Sequence, residues 1–259
     1  MEKTEIDWCD STWNPVTGCL HGCEYCYARG IAERFSGKKI LKYGIRTVLD
    51  KAVLINGKVC PYPYGFKPTF HRYHLNDYIG KKGRNIFVCS MADLFGEWVP
   101  DNWIEEVFKA CEKAPQHNYL FLTKNPARYV DLQDVGKLPR GSNMWYGVSV
   151  TDCRQLELTE QSFGELRSNT KTFFSIEPIL EDVTVVQAWN DCIVSRYVDW
   201  VIVGAETGRR KDKVVPKREW IEHIVEDCRK YDIPLFMKSS LADIWGEALI
   251  QEFPRELRR

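Results

Sequence analysis

Six short apolar runs recur along the 259-residue chain, and they constrain its fold more than any other feature of the sequence. Each run is almost continuously apolar or β-branched, which is typical of strands covered on both faces of a parallel sheet. Two further segments, 5–8 and 68–73, have strand-like composition and would raise the number of strands towards eight. The six runs are 85–91, 118–123, 144–150, 172–177, 199–206 and 233–238.

Helical patterns lie between the apolar runs. In residues 100–114, apolar side chains recur at helix spacing after Asp101, a residue that favours the N-cap position. Residues 215–231 carry a second apolar stripe, and a shorter helix is predicted over about 28–35. This alternation predicts an α/β fold, either a (β/α) barrel or a doubly wound sheet, formed by one domain over 1–259.

The segment at about 38–68 does not follow this alternation. It contains an Asn-Gly pair within 55–59 and then a stretch rich in Pro, Gly and Tyr. Asn-Gly between short apolar runs is a strong hairpin signal. We therefore predict a hairpin and loop insertion here.

Composition and charge narrow the class of protein. Lys plus Arg and Asp plus Glu both number 36, so the net charge of zero gives no support to nucleic-acid binding or to a membrane-surface role. The sequence has no apolar run of bilayer-spanning length, and its first ten residues do not resemble a signal peptide. These features predict a cytoplasmic protein with reduced cysteines. Four of its ten cysteines lie in apolar patterns and are interpreted as buried small side chains: Cys89, Cys111, Cys192 and Cys228.

Three other cysteines, Cys19, Cys23 and Cys26, form a C-x3-C-x2-C pattern within "GCLHGCEYCY". A structural zinc ion takes four ligands, usually as two separated pairs, and only His21 or Cys9 is near enough in sequence to supply a fourth. A [4Fe–4S] cluster is the alternative that we favour. Clusters normally have four cysteine ligands, so three would leave one iron open to a substrate or cofactor.

This cysteine spacing, with an aromatic residue before the last cysteine and after a first strand, resembles the radical S-adenosylmethionine (SAM) superfamily. Over nearly the whole chain, "TWNPVTGCLHGCEYCYA", "SMADLFGEWVPD", "FLTKNPAR", "SIEPIL" and "WVIVGAETG" resemble a narrower group, the phage-type three-Cys-motif protein family of unknown substrate. The "LTK" pattern and a strand-end acid are more distantly similar to the spore photoproduct lyase branch.

The resemblance implies a partial or complete (β/α) barrel of the radical SAM type with six to eight parallel strands. It also implies a [4Fe–4S] cluster on the three cysteines, S-adenosyl-L-methionine across the strand ends, and an external one-electron reductant. Reductive cleavage of SAM would give a 5′-deoxyadenosyl radical that acts on an unidentified substrate. The Gly-Gly-Glu of many members is missing, and "SMAD" at 90–93 stands in its place.

Polar residues follow the predicted strands, as expected where a barrel places its chemistry. Thr123 and Thr151 are two of them. The residues that we predict to bind the cofactor are Asp93, Lys124, Ser149, Glu177, Glu206 and Lys238.

Two of the candidate residues have a specific alternative role. Glu206 is predicted to contact SAM or the substrate, or else to form a structural ion pair with Lys238. Cys153 follows a strand end, and it is either a hydrogen-atom donor in catalysis or a loop cysteine without a role.

Two other functions come from different classes of protein. In the first alternative, the chain is a cluster-bearing accessory protein that acts with a three-Cys-motif partner protein and catalyses no reaction itself. A zinc-containing nucleic-acid module is the weaker alternative. It depends on the basic run 208–213 and on aromatic residues near the cysteines.

Overall fold

The computed structural model describes residues 4–36, 47–183, 198–208 and 210–258. Seven strands of this part of the chain form one sheet, in the order Ser11–Trp13, Asn85–Val88, Asn118–Thr123, Met144–Ser149, Lys171–Ile176, Val201–Val203 and Leu235–Met237. The predicted α/β fold of the partial (β/α) barrel class is confirmed. The strands are β1 (Ser11–Trp13), β2 (Val16–Thr17), β3 (Val48–Leu49), β4 (Leu54–Ile55), β5 (Lys58–Val59), β6 (Thr69–His71), β7 (Asn85–Val88), β8 (Asn118–Thr123), β9 (Met144–Ser149), β10 (Lys171–Ile176), β11 (Val201–Val203) and β12 (Leu235–Met237).

An α-helix follows most strands of the main sheet, whereas the helix Tyr27–Phe35 follows β2. Short 3-10 turns occupy Arg72–His74, Ser239–Leu241 and Arg255–Leu257. None of the described helices is long and apolar enough to span a membrane. The α-helices are α1 (Tyr27–Phe35), α2 (Asp101–Glu112), α3 (Ala127–Asp134), α4 (Cys153–Glu165), α5 (Arg218–Lys230) and α6 (Ala242–Trp245).

The chain divides into two compact units. The first contains Met1–Thr4 and Cys9–Leu122, and the second contains Glu5–Trp8 and Thr123–Arg259. The assignment of 1–259 to one domain stays a prediction.

In the first unit, β1, β7 and β8 pair in parallel, with Ser11 opposite Ile86 and Ile86 opposite Tyr119. All four residues of β7 are buried, as expected for a strand covered on both faces. A second sheet has the order β2-β6-β3. Strands β4 and β5 form an antiparallel hairpin, and Asn56 and Gly57 in its turn both have positive φ (51° and 76°), which Asn-Gly turns favour.

In the second unit, β9 to β12 pair in parallel, each with the next. Strands β9, β11 and β12 are buried along their whole length. Gly147 of β9 lies under the ring of Phe173, and a Cβ at this glycine would meet the Phe173 Cζ at 2.2 Å. The absence of a side chain therefore lets an aromatic residue of β10 cover β9.

Three sequence predictions about secondary structure were wrong or incomplete. Residues 5–8 form no strand, because Trp8 instead packs its ring against Phe173 and Trp200, each at 6.2 Å between centroids. Residues 68–73 do contain a strand, β6, but it belongs to the smaller sheet. Asp101 is the first residue of α2, and Pro100 is its N-cap.

Most of the apolar cysteines have the environment that the sequence predicts. Cys89, Cys111 and Cys228 are buried, which confirms their interpretation as core side chains. Cys60, for which the sequence suggested no role, is also buried. Cys192 lies outside the described residues.

Candidate functional site

The three-cysteine loop connects β2 to α1 and places all three thiols at half-buried positions. Gly18, which precedes the first cysteine, has a φ of +87°, in the region that favours glycine. A Cβ at Gly18 would lie 2.3 Å from the Lys67 carbonyl oxygen. Only glycine fits at the start of this loop, because any side chain would push the loop away from the backbone before β6.

The last cysteine of the loop is also the N-cap of α1. Cys26 has extended backbone angles, and its Sγ accepts a hydrogen bond from the Arg29 amide at 3.4 Å. The Cys26 amide in turn donates to the Cys23 carbonyl at 3.3 Å. One residue therefore ends the loop and starts the helix, and the amide dipoles of the first helical turn face its thiol.

An apolar cluster covers one side of the cysteine loop. Cys19 and Cys26 pack against a buried group formed by Ala28, Ala32, Phe66 and Met91. Such a hydrophobic shell limits the access of water to the thiols.

Burial raises the pKa of the Cys19 thiol to about 11. The nearby carboxylate of Asp93 contributes to this increase. The thiol of Cys19 is therefore protonated at neutral pH, and a metal that binds it must displace the proton.

His21 and Asp93 tie the cysteine loop to the segment that follows β7. The Nε2 of His21 lies 2.7 Å from Oδ2 of Asp93, which is buried. The other carboxylate oxygen of Asp93 accepts a hydrogen bond from the Phe95 amide at 3.0 Å. The Trp98 ring lies edge-on to His21 at 4.8 Å. The histidine that the sequence offered as a fourth ligand thus uses Nε2 for a carboxylate.

Besides the contact between Asp93 and His21, the "SMAD" segment is held by hydrogen bonds to Asn14, which was not predicted from the sequence. The side-chain oxygen of Asn14, just after β1, accepts hydrogen bonds from the Met91 amide at 3.0 Å and the Ser90 hydroxyl at 3.1 Å. Cys89 has a positive φ of 58°, which a non-glycine residue adopts at a cost of about 1 kcal/mol or more. The Tyr27 hydroxyl donates to the Ser90 carbonyl at 2.8 Å. The sequence signal that could have predicted this contact is Asn14 itself, a polar residue directly after β1.

In the described residues, no group of three or more His, Cys, Asp or Glu side chains is placed to hold a metal ion. A mononuclear ion would need several donor atoms within about 2.0–2.3 Å of one point. In a [4Fe–4S] cluster each cysteine binds a different iron, so the thiols lie around the cluster and need not converge on one point.

In the second unit, Glu177 and Lys238 form an ion pair at the ends of β10 and β12. Lys238 Nζ lies 2.8 Å from Glu177 Oε2. Gly204, which follows β11, lies beneath both side chains, and a Cβ there would lie 3.0 Å from Lys238 Cδ and 3.3 Å from Glu177 Cγ. The other oxygen of Glu177 is buried and has no hydrogen-bond partner in the described part of the chain. Three adjacent strand ends thus bring two predicted site residues together.

Glu206 does not form the ion pair with Lys238 that the sequence analysis offered as an alternative. Its two carboxylate oxygens accept hydrogen bonds from Arg210, at 2.8 Å from Nε and 2.7 Å from Nη2. The hydrogen bonds from Arg210 lower the pKa of Glu206, although its burial opposes this. The predicted partner was wrong because Lys238 extends towards Glu177. One arginine of the basic run 208–213 is thereby accounted for, and Arg209 lies outside the described residues.

The remaining predicted residues occupy strand ends or helix starts of the second unit. Ser149 is the buried last residue of β9, and Lys124 follows β8 at a half-buried position. Cys153 begins α4, where its amide donates to Glu181 Oε1 at 2.5 Å. Burial, together with the neighbouring Glu181 carboxylate, raises the pKa of the Cys153 thiol to about 11. Cys153 is therefore an intact thiol at neutral pH.

Similarity to known proteins gives a family and a fold. A family model described as "Protein of unknown function (DUF5131)" matches residues 3–254. No curated protein matches the chain. The fold is similar to that of a solved spore photoproduct lyase complexed with dinucleoside spore photoproduct, with 9% sequence identity and a TM-score of 0.54. The match covers 91% of this chain and 78% of the lyase chain, so the distant similarity predicted from sequence is confirmed for the fold.

Proposed function

The chain belongs to the DUF5131 family, whose description assigns no activity, and from its own site we propose that it is a radical SAM enzyme with an unidentified substrate. The observation that carries this proposal is the cysteine loop, in which three half-buried thiols are held between Gly18 and the start of α1. Its similarity in fold to spore photoproduct lyase supports the proposal.

The cysteine loop fits a [4Fe–4S] cluster by the chemistry of its donors. Cys19, Cys23 and Cys26 would hold three of the four irons. Such a cluster would supply one electron to the sulfonium of bound SAM, and breaking its carbon–sulfur bond would give methionine and a 5′-deoxyadenosyl radical able to abstract hydrogen from the substrate. Phe66 and Met91 would exclude water from the thiols, and the Arg29 amide would orient the Cys26 sulfur.

Polar residues at the strand ends would bind the charged and polar groups of SAM or the substrate. In the first unit, Asp93 is held in place by the Phe95 amide and would orient His21 within the cysteine loop. In the second unit, the buried and unpartnered oxygen of Glu177 favours a ligand that donates a hydrogen bond, while Lys238 favours an acceptor. Lys124, Ser149 and Glu206 stay proposed contacts to SAM or the substrate.

Cys153 is proposed to return a hydrogen atom to the substrate radical, which would leave a thiyl radical that one electron from the external reductant and one proton would convert back to the thiol. A hydrogen-atom donor must keep its S–H bond, and the raised pKa of this thiol keeps it protonated at neutral pH. Normal turnover of the eventual substrate by Cys153→Ala would remove the residue from the site.

The proposal is tested first by metal content. Protein purified without oxygen and reconstituted with iron and sulfide is expected to carry about four irons per chain. Changing Cys19, Cys23 or Cys26 to Ser should remove most of that iron. Cys9→Ser, the same chemical change at another half-buried cysteine, should not. One zinc per chain without iron would contradict the proposal.

The second test is turnover. The reconstituted protein, incubated with SAM and dithionite, should release 5′-deoxyadenosine and methionine in equal amounts. A protein that binds the cluster but releases no 5′-deoxyadenosine would instead be the accessory protein considered from its sequence, and a search for its partner protein would follow.

A further inference from the structure

Helix α1 has its large apolar side chains on the exposed side and its small ones on the buried side. Ala28 and Ala32 are buried, whereas Tyr27, Ile31 and Phe35 are 52%, 37% and 56% exposed. A surface helix normally turns its larger apolar residues to the core. This reversed arrangement makes the exposed side of α1 an apolar surface that the core does not explain.

The three large side chains lie on one face of the helix, because residues four apart are neighbours on a helix surface. Arg34 is one turn from Ile31 on the same face, and its guanidinium forms no ion pair with any described residue. We call Tyr27, Ile31, Arg34 and Phe35 the outer face of α1. The outer face is apolar except for the positive charge of Arg34.

The outer face starts at the cysteine loop. Tyr27 follows Cys26 directly in the chain, and Leu20, which follows Cys19, is 57% exposed. On the inner side of the same helix, Ala28 and Ala32 belong to the apolar cluster against which Cys19 and Cys26 pack. A protein that docks on the outer face would therefore be separated from the thiols by about the width of one short helix.

The size and charge of this face favour one kind of partner. Stable interfaces take roughly 20–30 residues from each side, whereas transient redox encounters are smaller. The four side chains of the outer face and the neighbouring Leu20 fit a transient encounter and are too few for a stable dimer. An uncommitted arginine beside apolar groups favours an acidic partner, whose approach it would steer.

We propose that the outer face of α1, together with Leu20, is the docking surface for a small acidic one-electron carrier protein. This inference rests on the proposed function, since a site that cleaves SAM must receive one electron for each cleavage. The carrier loses that electron and leaves in its oxidised form. Electron tunnelling falls steeply with distance, so the carrier must dock close to the cysteine loop.

Two reductants test the proposal. Flavodoxin, an acidic carrier that is reduced beforehand and freed of excess reductant, is compared with dithionite, which needs no docking surface. Ile31→Asp and Arg34→Glu are expected to lower 5′-deoxyadenosine formation at limiting flavodoxin at least tenfold, and to leave the dithionite rate within twofold. Glu33→Gln, an exposed change on another side of α1, is the matched control and should behave as the wild type. Equal rates with flavodoxin in all four proteins would overturn the proposal.

A binding measurement separates failure of this inference from failure of the proposed function. Labelled flavodoxin is titrated with the cluster-bearing protein, and the outer-face variants should bind at least tenfold more weakly. If dithionite gives no 5′-deoxyadenosine, the proposed function fails, but flavodoxin binding that depends on Ile31 and Arg34 would still support the docking surface. The inference is overturned if flavodoxin does not bind, or if sedimentation shows that these residues hold two copies of the chain together.

Discussion

His21 Nε2 lies 2.7 Å from Asp93 Oδ2, and this contact joins the middle of the cysteine loop to the segment after β7. The two residues are 72 positions apart in the chain. Asp93 also fixes its own turn through the Phe95 amide. The conformation of the cysteine loop therefore depends on a carboxylate that does not belong to it.

Asp93→Ala is expected to lower the free energy of unfolding by about 1–3 kcal/mol, because it leaves the buried Phe95 amide and His21 without their acceptor. Urea unfolding of the metal-free protein measures this effect. Glu97→Ala, an exposed change in the same segment, should stay within about 0.5 kcal/mol of wild type. A result for Asp93→Ala as small as that of the control would mean that this contact does not hold the loop.

Glu206→Gln is expected to weaken SAM binding or cleavage at least tenfold, equivalent to roughly 1.4 kcal/mol. It should also lower the free energy of unfolding by about 1–3 kcal/mol, since Arg210 loses a charged acceptor. Isothermal titration with SAM and urea unfolding measure the two effects separately. Lower stability with unchanged SAM binding would show that Glu206 and Arg210 form a purely structural pair.

Lys238→Met is expected to cost more stability than the double change Lys238→Met with Glu177→Gln. The single change leaves a partly buried carboxylate without its cation, whereas the double change removes both charges. A double-mutant cycle by urea unfolding at pH 7 should give an interaction energy of about 0.5–3 kcal/mol. Additive effects would show that Glu177 and Lys238 do not stabilise each other.

The stability of the protein should depend on pH through His71. Burial, with a contribution from the nearby His74, lowers the pKa of His71 to about 4 from its ordinary value of 6.5. Between these values the unfolded chain binds a proton that the folded chain does not, so stability falls as the pH drops from 6.5 towards 4. The slope expected from one group is about 1.4 kcal/mol per pH unit.

His71→Gln isolates this contribution, because glutamine keeps hydrogen-bonding capacity towards Thr17 but does not titrate. The free energy of unfolding, measured from pH 7 to pH 4.5, should fall more steeply for wild type than for the variant. Parallel curves would show that His71 is protonated equally in the folded and unfolded chain.

The strands of the main sheet could be predicted from sequence where apolar runs were long. Strand β8 was predicted with its observed bounds, because "NYLFLT" is almost continuously apolar and directly follows polar residues. Strand β1 was missed, because Ser11–Trp13 is three residues long and begins with two hydroxyl side chains. Its place in the sheet follows from parallel pairing with β7, which is not visible in the local sequence.

Helix α4 escaped prediction for a related reason. Two of its four buried residues, Thr159 and Ser162, are polar and bond to carbonyl groups of the preceding turn. A search for apolar periodicity does not detect them. In the site, the spacing of the cysteines is a local signal. The pairing of Glu177 with Lys238 is not, because it joins residues 61 positions apart through the directions of two side chains.

Cys26 is both a thiol of the loop and the cap of α1, and this dual role couples damage at the loop to the integrity of the helix. Alkylation of its sulfur would place a bulky group at the start of α1 and displace the acceptor of the Arg29 amide, and losing a cap destabilises a helix by about 1 kcal/mol. The first turn of α1 would then fray and become accessible to proteases. Proteolytic cleavage near residue 29 would therefore report alkylation of Cys26.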